Sequence, residues 1–369
     1  MRDAGMTVAI DPIGNLSGRL EGTAEGAKTL LIGSHIDTVG NAGQFDGCLG
    51  IVLALEALAE LGRLRVSLPF AVEVIAFGNG TGGRFAPMFA GAQAMAGRVG
   101  PEVLDRVDGQ GVTLAQALEA FDGASEDFRE VVRHSHDLLG FIEVHAEQGT
   151  VLEGEACGIG IVSAISGGTR FRVVVQGRSG HAGSQSMAQR RDALAAAAEM
   201  MLAIERIARD APALLATVGR IEARPGAAHS VPSEVEFSLD VRSSVNRVRQ
   251  RGCQDIDRDL RSIARRRQLT VQMVEVDSET AVPCDQRFIR LLTSVAEELG
   301  LATMGLPTGS RHEGLAIVDL CPVGMMLLRS EGGITHHPDE RVRADDIEAG
   351  TRMLMKVLET LAPNGRTLV

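Results

Sequence analysis

KTLLIGSHIDTVGNAGQFDGCLGIVLALEALAELGRLRVSLPFAVEVIAF (residues 28–77) is the stretch from which the fold can be read. Its two ends, KTLLIGS (28–34) and AVEVIAF (71–77), are continuous apolar runs of strand length. Between them, Leu49 to Leu61 carries apolar residues at helical spacing. A strand that is apolar on every residue is buried on both faces, so this β–α–β rhythm implies a sheet covered by helices. LLGFIEVH (138–145) reads as a further strand ending in a polar tip.

From about residue 164 the pattern changes. GTRFRVVVQG (168–177) alternates like a half-exposed strand, and Met187 to Ile207 reads as a long helix rich in Ala, Leu and Met. LLATVGRIEA (214–223) and SEVEFSLDVRS (233–243) follow as strands, then a charged helix from about Val245 to Arg266, then LTVQMVEV (269–276). That order, βαββαβ, is a ferredoxin-like unit able to bury one sheet face under two helices. After it come a helical pattern at 286–300, an apolar strand at 322–328 and a closing helix at about 345–361. The last segment is too short for a large core of its own. The expected fold is therefore α/β with a discontinuous domain (1–163 with 277–369) interrupted by an inserted βαββαβ domain (164–276).

Composition narrows the function. A length of 369 residues allows two hydrophobic cores, and 44% hydrophobic with 23% charged residues is ordinary for a globular chain. A net charge of -11 argues against nucleic acid as a partner, because phosphate binding needs a basic surface. No apolar run approaches the ~20 residues that span a bilayer, and the first residues lack the apolar core of a signal peptide. Five cysteines form no CxxC pair, which fits reduced thiols and a cytoplasmic setting. With no Trp and no Tyr, recognition should rest on polar and charged groups rather than on aromatic stacking.

Three polar clusters follow apolar strands or open a helix, which is where open α/β sheets place their ligands. GSHIDTV holds His35 and Asp37 two residues apart; in an extended segment both point the same way, so Asp37 could orient the His35 ring. QFDG puts Asp46 at a helix entrance, and EVHAEQG puts His145 at a strand end. GGITHHP adds His336 and His337 in a turn-like stretch. Each cluster alone has an ordinary reading: a lone buried histidine is usually a hydrogen-bonded core residue, and Asp46 could be a helix cap. His134 and His136 read as solvated residues at a helix end.

The order of the clusters is more specific. GSHIDTV, QFDG, AFGN, GGRF, EVHAEQG, GHAG, MAQRRDAL, VGRIEARPGA, FSLDVR and GITHHPDE, from about Asp11 to the C-terminus, resemble the zinc-dependent allantoate amidohydrolase and N-carbamoyl-L-amino-acid hydrolase family of the aminoacylase/carboxypeptidase superfamily. The resemblance implies the two-domain layout, a homodimer formed through the 164–276 domain, and two zinc ions bridged by an aspartate. His35, Asp46 and His145 would hold one metal; Asp46, a glutamate and His336 would hold the other. His181 would stabilise the developing oxyanion across the dimer, and Gln148 and Arg242 would contact substrate. His229 falls where the family has an asparagine. Surface roles for His181 and Arg242 are the alternatives. The family also begins with a helical segment before the position of Met1, so either the start is misplaced or the site mouth is more open here.

One departure is chemically decisive. Where the family has two adjacent glutamates after the strand, the first a general base and the second a metal ligand, this chain has Gly80 and Thr81. Loss of a general base costs ~10²–10⁴-fold. A neutral hydroxyl is also a poor replacement for carboxylate around zinc. One zinc per chain, at His35, Asp46 and His145, is the expected occupancy, and Glu147 and Glu313 are the nearest replacement bases by sequence. Three functions stay open. The first is an amidohydrolase acting on a linear C–N bond of a small carboxylate-bearing ureido or amide compound. The second is an enzyme rebuilt for cyclisation, isomerisation or amide formation. The third is a catalytically silent binding protein. Restoring both glutamates should return the second metal and the base if the rest of the geometry is hydrolytic.

Overall fold

The computed structural model describes residues 1–120 and 128–362. The chain forms two compact units: Met1–Ile165 together with the segment from Pro283 onward, and Ser166–Val282. The first stretch supplies β1 (Thr7–Ile10), β2 (Leu16–Leu20), β3 (Thr29–His35), α1 (Cys48–Arg63), β4 (Ala71–Phe77), α2 (Ala90–Met95), α3 (Leu114–Glu119), β5 (Leu138–Ala146), α4 (Val151–Gly154) and β6 (Ile159–Ile165). The second unit adds β7 (Gly167–Gln176), β8 (Gly180–His181), α5 (Ala193–Asp210), β9 (Leu215–Thr217), β10 (Ile221–Arg224), β11 (Ser230–Val231), β12 (Glu234–Ser243), α6 (Asn246–Arg266) and β13 (Thr270–Glu279). The chain then passes through β14 (Val282–Pro283) to α7 (Gln286–Glu298), β15 (Thr303–Thr308), α8 (Gly314–Ile317), β16 (Val323–Leu328) and α9 (Ala344–Leu361).

In the first unit the strands run β1-β2-β4-β3-β5-β16-β6, with β15 also paired to β6. β4, β3, β5 and β16 are mutually parallel and buried at every residue, as their unbroken apolar runs require. α1, α7 and α9 cover the sheet through Leu53, Leu58, Phe288, Leu292, Leu354 and Leu358. Each such side chain contributes about 1.5–3 kcal/mol on leaving water. Gly50, in the first turn of α1, lies against β5: a Cβ there would collide with the Val144 carbonyl oxygen. That close approach brings the residues preceding α1 onto the ends of β3 and β5.

The second unit is the expected βαββαβ arrangement, antiparallel in the order β10-β12-β7-β13, with α5 and α6 burying Val173, Val175, Phe237, Leu239, Ile256 and Leu260. Its limits differ from the sequence expectation. β13 continues through a bulge at Glu275/Asp277 until Glu279 faces Gly168, so the charged residues beyond 276 still belong to the ladder and the unit ends at Val282. The long helix starts at Ala193 rather than Met187, because the Asp192 carboxylate accepts the N–H groups of Leu194 and Ala195 (2.9 and 3.0 Å) and caps it there. LLATVGRIEA divides into β9 and β10. Strands β1, β2, β6 and β15 were not expected; their runs are short or interrupted by Gly, Ser and Arg, so periodicity alone does not mark them. All five cysteines are free. Among the described residues no helix is long and apolar enough to cross a membrane.

Candidate metal centre

Parallel pairing of β3 with β5 sets His35 and His145 at neighbouring strand ends, and the loop into α1 lowers Asp46 onto them. All three are buried. One nitrogen of each histidine and one oxygen of Asp46 lie within 4.8 Å of one another, and among the described residues this is the one group of three metal-ligating side chains. The His35 and His145 Nε2 atoms are 3.2 Å apart, and they stand 3.9 and 3.5 Å from Asp46 Oδ1.

The tautomers follow from the other ring nitrogens. His35 Nδ1 lies 2.6 Å from the Asp37 carbonyl oxygen and His145 Nδ1 lies 2.8 Å from the Ala146 carbonyl oxygen. A carbonyl can only accept, so each Nδ1 donates and each Nε2 presents a lone pair to the cluster. The Gly47 N–H donates to His145 Nε2 over 3.2 Å, in keeping with that tautomer. Burial, with the neighbouring His312 and His35 rings, pushes the His145 pKa down to about 3, which keeps it neutral as a ligand must be. For His35 burial opposes the charged ring, but the Glu313 and Asp46 carboxylates outweigh it and the pKa is raised. Burial likewise works against ionised Asp46, yet the Thr38 hydroxyl and the surrounding histidines hold its pKa below the usual value. Two converging imidazole lone pairs and a carboxylate are electron-rich groups facing one another, and a cation among them resolves that arrangement. The donor set fits zinc.

Glu340, which sequence reading missed, fixes the Asp46 loop: its Oε2 accepts the N–H groups of Phe45 and Asp46 (2.9 and 3.0 Å). The only sequence signal was its place in GITHHPDE. His336 approaches the same aspartate, with Nε2 3.7 Å from Asp46 Oδ2, but its side chain is 46% exposed and it belongs to no group of three ligands among the described residues. Gln148 lies between them: its Nε2 is 3.4 Å from Asp46 Oδ1 and 3.3 Å from His336 Nε2, while its Oε1 accepts from the Ser310 hydroxyl.

Asp37 does something other than expected. β3 ends at His35 and the chain bends at Ile36, so the extended-segment argument fails and the Asp37 carboxylate does not reach the His35 ring nitrogens. It accepts instead from Gly80 N (2.6 Å), Thr81 N (3.0 Å) and Thr81 Oγ1 (2.6 Å), holding the turn at the departure site. The Thr81 hydroxyl is thereby turned to Asp37 rather than toward Asp46.

Behind Gly80 lies a buried acidic cluster. A Cβ on Gly80 would overlap the His35 Cβ and lie 2.6 Å from Glu313 Oε1. Glu313 and Glu143 are fully buried, and both Glu313 oxygens lack a donor in the structure. Their carboxyl groups meet in a contact that is a hydrogen bond only when one of them carries a proton. Burial pushes the Glu143 pKa up to about 7, and burial together with Glu143 raises that of Glu313 well above the carboxylate range. His312 Nδ1 is 3.5 Å from Glu143 Oε1, and its ring meets His145 edge-on at 4.9 Å. Burial and the His35 charge lower the His312 pKa to about 3. Glu143 had a visible signal, an acid inside a wholly apolar strand; His312 had none. Glu147, by contrast, is committed: its carboxylate accepts the Val151 and Leu152 N–H groups (2.9 and 3.0 Å) at the start of α4.

In the second unit, β8 pairs with β11 so that His181 faces Ser230, and Ala182 N donates to the His229 carbonyl oxygen over 3.0 Å. Both histidines are exposed, and His181 Nδ1 accepts the Gly183 N–H over 3.1 Å. Arg242 forms a two-pronged ion pair with Asp240, two residues back on the same face of β12 (2.9 and 3.0 Å).

The chain is similar to known proteins over nearly its whole length. The N-carbamoyl-L-amino-acid amidohydrolase of Pseudomonas sp. (strain NS671) is 36% identical over 358 residues, 96% of this chain and 86% of that protein. Allantoate deiminase 1 of Glycine max is 34% identical over 394 residues, covering 98% and 81%. The crystal structure of an amidase of the hydantoinase/carbamoylase family from Burkholderia multivorans superposes with a TM-score of 0.89 at 28% identity, covering 98% and 87%. Residues 31–360 match the description of peptidase family M20/M25/M40, and the chain belongs to that family.

Proposed function

We propose that the protein is an amidohydrolase that cleaves a linear C–N bond of a small ureido or amide compound bearing a carboxylate. The observation that carries this reading is the buried His35, Asp46 and His145 donor set. It stands in a chain whose relatives are named for N-carbamoyl-amino-acid and allantoate chemistry. We assign one zinc ion to these three residues. When bound, it supplies a Lewis acid that polarises the scissile carbonyl.

The chain's own groups do the rest. The paired backbone acceptors at Asp37 and Ala146 keep both imidazoles in the ligating tautomer, and Glu340 and Thr38 hold the Asp46 carboxylate in place. Of the two glutamates nearest in sequence, Glu147 is occupied by α4. Glu313 lies beside Gly80 with its carboxyl group against that of Glu143, and we assign it the proton-accepting role once the proton that this pair shares has left. We assign His181 and His229 polar roles toward substrate, with His181 serving a partner's site in a homodimer. Arg242 would have to exchange Asp240 for a substrate carboxylate. The edge position of β13, with exposed Val274 and Val276, supports pairing of two copies through this unit. Five free cysteines support a reducing, cytoplasmic setting.

The test is ammonia or amine release from N-carbamoyl-L-amino acids and allantoate by the zinc-loaded protein, against Asp46→Ala. Zinc-dependent release abolished in Asp46→Ala supports the reading. Retained zinc with every ureide left intact would overturn it in favour of a non-hydrolytic enzyme, the alternative that the burial of Glu313 supports.

A further inference from the structure

His181 opens a tight turn that decides which of its ring nitrogens carries hydrogen. Its backbone carbonyl oxygen accepts the Gln185 N–H over 3.2 Å, and its Nδ1 accepts the Gly183 N–H over 3.1 Å. A ring nitrogen that accepts bears no hydrogen, so the neutral imidazole carries its N–H on Nε2. The turn thus leaves His181 with a donor at its far end. Ala182, Gly183 and Ser184 have no side chain long enough to hold that shape.

The brace comes from Arg190. Its guanidinium donates from Nη2 to the Ala182 carbonyl oxygen (2.6 Å) and from Nε to the Gln185 carbonyl oxygen (3.2 Å). These carbonyls lie near the two ends of the turn, so one planar group spans it. A guanidinium presents its donors in a fixed fork and holds two acceptors at a set spacing, as an ammonium on a flexible stem does not. Arg190 is half-buried and lies two residues before Asp192, whose carboxylate caps α5. Ala182 is held on both backbone groups, its N–H by the His229 carbonyl oxygen over 3.0 Å and its carbonyl by Arg190.

We propose that Arg190 is a positioning residue for His181: through the Ala182 and Gln185 carbonyls it keeps the 181–185 turn closed and the imidazole in its Nε2–H form. This rests on the substrate-facing role assigned to His181 and names the residue through which that role is kept.

The first measurement needs no substrate. In protein labelled with nitrogen-15 at histidine, the His181 signals are those missing from His181→Ala. At alkaline pH, where imidazole is neutral, the parent should show hydrogen on Nε2 alone and Arg190→Ala a mixture of both tautomers. Arg190→Lys should resemble the alanine variant, and guanidinium added to Arg190→Ala should return the parent's pattern. A parent with hydrogen on His181 Nδ1, or an Arg190→Ala variant with the parent's pattern, overturns the proposal.

The second measurement is a kinetic cycle on a ureide. Arg190→Ala should lower kcat ~10-fold to 10²-fold with KM within about 3-fold, because a displaced donor fails the transition state rather than the bound substrate. In a His181→Ala background the same change should cost less than about 2-fold, since the two residues act as one. Equal losses in both backgrounds overturn the proposal, and so does an equal loss from Arg191→Ala, the exposed neighbour that serves as control. If Arg190→Ala does not fold, Arg190→Lys carries both measurements. Absence of ureide hydrolysis sinks the activity reading alone, and the spectra still decide the role of Arg190.

Discussion

Glu313 Oε1 stands at the place where a side chain on Gly80 would begin, 2.6 Å from a Cβ built there. The two positions share one volume, and the His35 Cβ bounds it on the other side. Returning glutamates to 80 and 81 is therefore not the simple repair that the sequence suggested. Gly80→Ala is expected to lower stability by about 1–3 kcal/mol through overpacking and to weaken zinc by displacing His35. Melting temperature and chelator competition measure both. The Gly80→Glu/Thr81→Glu double variant should lose stability and gain no ureide hydrolysis; a double variant as stable as the parent and faster would show that the wall can open.

Glu313 and Glu147 are separable by kinetics. Glu313→Gln keeps the shape and removes the proton acceptor, so kcat on a ureide should fall ~10²-fold or more with KM little changed. Glu147→Gln removes a helix-start acceptor and should cost about 1–2 kcal/mol of stability with kcat close to the parent's. The reverse pattern would move the base to Glu147.

Metal-free protein should be most stable at mildly acidic pH. His145 and His312 have folded pKa values of about 3, below the ordinary 6.5, so the unfolded chain binds more protons between these values. Their contribution is complete above 6.5 and is lost as pH falls toward 3, at about 1.4 kcal/mol per pH unit for each. Asp46, held low, adds to the acid loss. Glu143, raised from 4.5 to about 7, works the other way, favouring the folded state below 4.5 and losing that contribution as pH rises through 7. Glu313 and His35, both raised, act in the same sense. The opposing slopes largely cancel between 4.5 and 6.5, leaving a plateau there with losses on both sides. Thermal melts in chelator across this range, showing no decline above neutrality, would contradict the buried acid cluster.

Zinc should reverse that alkaline loss. A cation bound by the folded chain alone raises the melting temperature in proportion to the logarithm of its free concentration. His145→Ala should abolish the shift, because it removes a buried ligand, while His337→Ala should leave it intact.

Sedimentation at micromolar concentration checks the pairing assigned to the second unit. A dimer is expected, and Val276→Arg, on the exposed edge strand β13, should shift it toward monomer. A parent that sediments as a monomer would remove His181 from any partner's site.

The sequence by itself determined the elements that depend on local pattern. Unbroken apolar runs marked β3 and β4 as strands of a sheet covered by helices and β5 and β16 as further strands, and alternation marked β7 as half-exposed. The order of the polar clusters along the chain carried a resemblance to a two-zinc family, and that resemblance, rather than local pattern, implied His35, Asp46 and His145 as one ligand group. Tertiary structure decided what depends on atoms distant in sequence. Asp37 turned its carboxylate to Gly80 and Thr81 because the chain bends at Ile36. Glu147 and Glu313, equal as text, parted because α4 starts beside one and Gly80 lies beside the other. Gln148 met His336 across 188 residues, and Glu340 met Asp46 across 294. A side chain's chemistry is written in its own residue, but its pKa, its partner and its free lone pair are set by what packing brings within a few ångströms, and no local pattern encodes that.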